Sequence, residues 1–224
     1  MGFQNARGIT RGDNPAEEVL EAASDYQLSL FGIAESNCEW NKELETAVTA
    51  ATRKRFGNGF ITCASTSRKN HGYLPGGVMQ LARGNICGRK TSKGTDKYGR
   101  YSWMKFDGKN EQKLIIVTAY RVTQKKGTPQ TPNCNTAYWQ QVQAMIKDGK
   151  VDPDPRTQIL TDLSRFMNGQ RAEGYEVFLM IDANDDWEET NSPLKKFMED
   201  NLLNDVHHTV VDAMPATTRI GSSW

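Results

Sequence analysis

The chain has 224 residues, enough to bury a full core, and a single domain spanning 1–224 is expected. Its composition, 37% apolar and 25% charged, is that of an ordinary folded protein; no apolar run approaches the ~18 residues that a membrane-spanning helix needs. Four widely spaced cysteines form no paired ligand motif, and no signal-peptide pattern opens the chain. Free thiols in an intracellular protein, nuclear or cytoplasmic and not secreted, are therefore expected over disulfides or zinc. The net charge of +1 conceals an asymmetry: Arg53 to Lys126 holds 17 Lys/Arg against 3 Asp/Glu, whereas the remainder holds 11 against 24. Such a segment suits a polyanion-binding face beside a carboxylate-lined site; the alternative is that its lysines solubilise exposed strands and flexible stretches such as Arg89 to Gly94.

Strand and helix signals alternate along the chain. A short strand runs near Gly2 to Asn5. Asn14 reads as a helix N-cap, with Pro15 first and Glu17 third in a helix whose buried stripe is Val19, Leu20 and Ala23. Leu28 to Ala34 is a buried strand ending at Glu35, and Trp40, Leu44, Val48 and Ala51 recur at helical spacing. Strands are predicted at Ile61 to Ser65, Val78 to Ala82, Tyr101 to Phe106 and Leu114 to Tyr120, separated by glycine turns such as Pro75-Gly76-Gly77. A long polar loop, Val122 to Asn133, precedes helices near Asn135 to Ile146 and from Asp154. Val177 to Ile181 reads as a strand buried on both faces and delivers Asp182-Ala183-Asn184; a helix near Pro193 to Asn201 follows. Helices mixed with antiparallel hairpins predict a two-layer or four-layer α/β sandwich.

Polar residues thus end four strands in order: Asn5, Glu35, Tyr120 and the Asp182/Asn184 pair. An acid and an amide two apart point the same way and suit phosphate chemistry, because the acid takes a proton from water and the amide donates to a phosphate oxygen. Singly, each has a plainer reading: Asp-x-Asn makes turns, Glu35 caps the next helix, Tyr120 fills a strand and Asn5 turns the chain. Their occurrence together in this order is what singles them out.

On these motifs the chain resembles the endonuclease/exonuclease/phosphatase superfamily, the DNase I-like enzymes, and looks closest to endonucleases of LINE-type retrotransposons. The residues that carry the likeness are Asn5-Ala6-Arg7-Gly8, Ile33-Ala34-Glu35-Ser36-Asn37, Thr118-Ala119-Tyr120-Arg121 and Met180-Ile181-Asp182-Ala183-Asn184, with Pro75-Gly76-Gly77-Val78 as a glycine turn. The resemblance implies a four-layer α/β sandwich with two mainly antiparallel sheets. It implies that Glu35 holds a divalent cation, Mg²⁺ or alternatively Mn²⁺, with Asn5 positioning metal or phosphate. Asp182 would orient and deprotonate water, Asn184 would donate to a phosphate oxygen, and Tyr120 would steady the phosphate or the departing oxygen. Arg7, Arg121, Lys125, Lys126, Arg89 and Lys90 are the cations expected to meet nucleic acid.

Members of that family finish with an Asp-bearing motif, a strand and an Asp-His pair. This sequence instead runs from Pro215 to Trp224 in residues that resemble only the approach to that motif, so a fragment lacking the last strand and the principal base is expected. His71, His207 and His208 read as surface or supporting histidines. The resulting expectation is a metal-dependent phosphodiesterase, a retroelement-type DNA endonuclease impaired as written, with a reverse-transcriptase domain as a possible downstream partner. A phosphatase for small phosphate esters or lipid headgroups is one alternative. A non-catalytic remnant or nucleic-acid-binding module is another.

Overall fold

Among the described residues, eight strands form two four-stranded sheets, and each sheet contains one parallel pair. In the first, β1 (Gly2–Asn5), β2 (Leu30–Ala34), β3 (Gly59–Ala64) and β4 (Val78–Arg83) lie in the order β1-β2-β4-β3, with β1 and β2 parallel. In the second, β5 (Lys90–Thr95), β6 (Tyr101–Asp107), β7 (Lys113–Tyr120) and β8 (Tyr175–Asp182) lie in sequence order, with β7 and β8 parallel and the other pairs antiparallel. This is a computed structural model that describes residues 1–9, 16–66, 74–123, 136–186, 189 and 191–206. The chain divides into two compact units, Met1–Asp185 and Asp186–Trp224.

The first unit is a mixed α/β sandwich whose layers follow from alternation along the strands. Phe31 and Ile33 of β2 face α1 (Glu17–Asp25) and α2 (Lys42–Phe56), joining Val19, Leu20, Ala23 and Val48 in one apolar cluster. Leu30 of β2 and Ala82 of β4 face the other way and meet Met104, Phe106, Ile116 and Met180 of the second sheet. Beyond the second sheet lie α3 (Ala137–Lys147) and α4 (Pro155–Ala172). The Phe166 ring of α4 sits 5.4 Å from that of Tyr101 and 6.0 Å from that of Trp103.

Helix starts follow capping chemistry. The Asn41 and Asp154 side chains accept from backbone N–H groups at the starts of α2 and α4, and Pro155 opens α4 as expected. For α1 the cap position is Ala16, in the left-handed region, and helix begins at Glu17; Asn14 and Pro15 lie outside the described residues. In the second unit, Ser192 caps α5 (Pro193–Asp200), accepting from Leu194 and Lys195.

Two expectations are corrected. Arg89 to Gly94, read as a flexible stretch, closes a 3-10 turn (Gly84–Arg89) and then forms most of β5, paired with β6. The alternation of half-buried Lys90, Ser92 and Gly94 with exposed Thr91, Lys93 and Thr95 is strand periodicity carried by polar residues, which an apolar pattern cannot reveal. Strand β8, expected to be buried on both faces, lies at a sheet edge among the described residues, and most of it is half-buried with Met180 fully buried.

The two sheets are tightly packed at Gly32. A Cβ there would lie 2.8 Å from Thr118 Oγ1 and 2.7 Å from Met180 Cε, so the position admits no side chain unless these facing side chains shift. Gly32→Ala is expected to lower stability by about 1–3 kcal/mol through overpacking, measured by urea unfolding, and Gly32→Val by more. Unchanged midpoints would mean that the sheets have room to part.

Candidate active site

Parallel pairing determines which strand ends meet. Because β1 runs with β2 and β7 with β8, Asn5, Glu35, Tyr120 and Asp182 all lie at carboxyl ends, on one rim of the first unit. Side-chain hydrogen bonds then cross between the sheets. Tyr120 Oη donates to Glu35 Oε1 at 2.6 Å, and Asn5 Nδ2 donates to Asp182 Oδ2 at 2.7 Å. Tyr120 is 3% exposed, whereas Glu35 and Asp182 are half-buried and Asn5 and Arg7 are exposed. The site therefore has a buried floor and an open rim.

The supporting loops are bent sharply. Arg7 (φ 50), Glu35 (φ 52), Asn37 (φ 50) and Asn184 (φ 45) all occupy the left-handed region, which costs residues such as Arg and Glu roughly 1–2 kcal/mol and is more readily adopted by asparagine. Such strain persists where neighbours over-determine it. Gly8 N–H donates to the Glu35 carbonyl at 2.8 Å, and Arg7 N–H donates to Asn5 Oδ1 at 3.0 Å. The Pro75-Gly76-Gly77 turn braces the same loop: Asn37 N–H donates to the Gly76 carbonyl, and Gly76 N–H donates to Asn37 Oδ1 at 2.7 Å. Gly77 has φ 78, and a Cβ there would lie 2.8 Å from Ser36 Oγ and 2.9 Å from the Ala64 carbonyl, so conformation and space both require glycine.

Asp182 accepts from Asn5 Nδ2 and from Asn184 N–H at 3.3 Å, both neutral donors. Burial pushes its carboxyl above the ordinary 3.8; the Asn5 bond opposes this, the Glu35 charge adds to it, and the Asn184 N–H opposes it. Asn184 Nδ2 donates to the Arg121 carbonyl at 2.8 Å.

The predicted cations are dispersed. Arg7 stands on the rim beside Asn5. Arg121, expected to meet nucleic acid, is 3% exposed instead and gives its guanidinium to the Arg156 and Ala183 carbonyls and to Asp185, because the chain needs it inside. Lys90 pairs across β6 with the Phe106–Leu114 level, about 20 Å along β7 from Tyr120, so Arg89 and Lys90 lie away from the site. Lys125, Lys126 and all three histidines lie outside the described residues. Six of the 17 cations of the central basic segment are also paired in space. Arg55, Lys93, Lys97, Arg100, Lys105 and Arg121 pair with Glu17, Glu45, Asp148, Asp162, Glu173 and Asp185, acids from the flanking sequence. Sequence reading missed Arg156 and Asp185 as parts of the site's support; the acid after Asn184 was visible, but its arginine partners are remote in sequence.

No family model and no curated protein matches the chain. Among solved structures it is similar to a humanized D. rerio TDP2 with 14 mutations, at 14% identity and TM-score 0.46, over 96% of this chain and 70% of that one. It is also similar to an endonuclease/exonuclease/phosphatase family protein from Bacteroides thetaiotaomicron, at 11% identity and TM-score 0.42, over 84% of this chain and 64% of that one. A third, of the same family from Leptotrichia buccalis, matches at 10% identity and TM-score 0.35, over 67% of this chain and 62% of that one.

The raised Asp182 carboxyl carries a stability consequence. The folded protein holds this proton more tightly than the unfolded chain, so the contribution is complete below about 3.8 and lost as pH rises through the folded value. Carboxyl titration by NMR should place Asp182 above its ordinary value, and Glu35→Gln should bring it part of the way down. A titration that ignores the Glu35 substitution would mean the two carboxylates do not share a field.

Proposed function

We propose that this chain is a metal-dependent phosphodiester hydrolase of the endonuclease/exonuclease/phosphatase type, acting on DNA as a retroelement-type endonuclease. The observation that carries the reading is the convergence of Asn5, Glu35, Tyr120 and Asp182 through the two cross-sheet hydrogen bonds. The motif resemblance, including the Asn5-Ala6-Arg7-Gly8 and Pro75-Gly76-Gly77 segments, supports the retroelement assignment.

The donor chemistry fits a hard cation. Among the described residues no three Asp, Glu, His or Cys side chains cluster as a metal cage. Mg²⁺ characteristically takes one or two carboxylates and completes its shell with water and phosphate oxygens, so Glu35, with Asn5 beside it, suits that ion or Mn²⁺. Bound there, the ion supplies Lewis-acid stabilisation of charge on the phosphoryl oxygens. The chain's own groups do the rest. Tyr120 fixes the Glu35 carboxylate. Asp182, with its raised affinity for a proton, accepts one from water as the water oxygen attacks phosphorus and the bond to the leaving alkoxide breaks. Asn184 keeps a second amide hydrogen that a phosphate oxygen can accept.

A second reading, a phosphatase for small phosphate esters, is favoured by the internal pairing of six central cations. That pairing leaves less spread positive charge for a nucleic-acid backbone. Nicking of supercoiled plasmid separates the readings. DNA hydrolysis should require Mg²⁺ or Mn²⁺, fall steeply with salt, and drop about 10²–10⁴-fold in Asp182→Asn, with Glu35→Gln also crippled. Phosphate release from inositol polyphosphate without nicking would favour the phosphatase, and full nicking by Glu35→Gln would overturn the site.

A further inference from the structure

Three backbone carbonyls of the turn Asp182-Ala183-Asn184 are taken by groups of two arginines. Arg121 N–H donates to the Asp182 carbonyl at 2.8 Å, and Arg121 Nη1 to the Ala183 carbonyl at 3.2 Å. Arg156 Nη2 donates to the Asn184 carbonyl at 2.9 Å, and its Nη1 to the Val122 carbonyl at 2.5 Å. The two guanidinium groups converge on one carboxylate: Arg121 Nη1 lies 3.2 Å from Asp185 Oδ2, and Arg156 Nη2 lies 3.4 Å from Asp185 Oδ1. The Arg121, Asp185 and Arg156 side chains are 3%, 7% and 11% exposed. Arg121 Nε closes the ring on the Arg156 carbonyl at 3.0 Å.

We propose that Arg121 and Arg156, joined through Asp185, are positioning residues that lock the turn after β8 so that Asp182 and Asn184 are presented together at the rim. The inference rests on the hydrolase reading above and extends it to residues that cannot reach a substrate. The physical need is local. Asn184 stands at φ 45, and in that conformation its N–H reaches Asp182 Oδ1 while its side-chain amide reaches back to the Arg121 carbonyl. A turn free to leave the left-handed region would lose both contacts. Each bond to a turn carbonyl opposes that escape, and burial strengthens the bonds.

The clamp also sorts the carboxylates. Asp185 takes the two cations, whereas Asp182 keeps neutral partners. Arg121 thus lies close to the reacting centre without pairing with its acid. The geometry needs guanidinium forks: Arg156 serves three acceptors at once, and a lysine would keep the charge beside Asp185 but not the simultaneous bonds.

The test is Arg156→Lys, with Arg121→Lys as the second variant should the first not fold, read by amide hydrogen exchange and by steady-state nicking kinetics of the full chain. Exchange at the Asn184 amide should quicken roughly tenfold or more while β6 and β7 amides keep their protection. The kcat for nicking should fall up to about 10²-fold with KM little changed, the size expected for a misplaced catalytic group. Unchanged exchange at Asn184 would overturn the proposal. So would an equal loss of protection across β6 and β7, which would make the arginines supports of the fold as a whole. If the parent chain hydrolyses nothing, the hydrolase reading fails on its own, while exchange at Asn184 still decides whether the clamp holds the turn.

Discussion

The site depends on one constraint: two side-chain hydrogen bonds must cross between two sheets. Tyr120 on β7 reaches Glu35 after β2, and Asp182 on β8 accepts from Asn5 on β1. Neither could form if the sheets stood apart, and Gly32, three residues before Glu35, is where side-chain bulk has been removed to let them approach. Most strand pairs are antiparallel, yet the site uses the parallel pair of each sheet, because only parallel neighbours bring their carboxyl ends to one rim. Positive-φ residues, Arg7, Glu35, Asn37 and Asn184, turn the chain sharply just beyond the strand ends at this seam.

Electrostatics near the site follow a division between the acids Asp182 and Asp185, three residues apart. Asp185 is buried against two guanidinium groups, an arrangement that satisfies its charge and would be costly to break. Asp182 has amide donors, and burial makes its charge less comfortable. Over the wider unit, acids from the flanks of the sequence meet cations from its middle. These pairs remove part of the positive surface charge that the linear sequence suggests.

Much of this was legible in the sequence because it rests on short-range signals. Buried runs located β2, β7 and β8, helical spacing located α2, Asp154 and Pro155 located the start of α4, and the polar residues at strand ends singled out Asn5, Glu35, Tyr120 and Asp182 as a group. What escaped was long-range. Strand β5 is polar and stays in place by pairing with β6, so composition made it look like a loop. The role of Arg121 was misread because a guanidinium beside a polar strand-end motif looks like a phosphate ligand until its acceptors, contributed by residues 156, 183 and 185, are known. The basic segment misled in the same way: its partners lie far away in the chain.

The most direct measurement is an anomalous-difference map from crystals of the protein soaked in Mn²⁺. A metal peak against Glu35, on the rim shared by Asn5 and Asp182 and lost in Glu35→Gln, is the result that a metal-dependent site at the inter-sheet seam predicts. A soaked crystal with no peak there, or with metal held elsewhere and indifferent to Glu35, would contradict it.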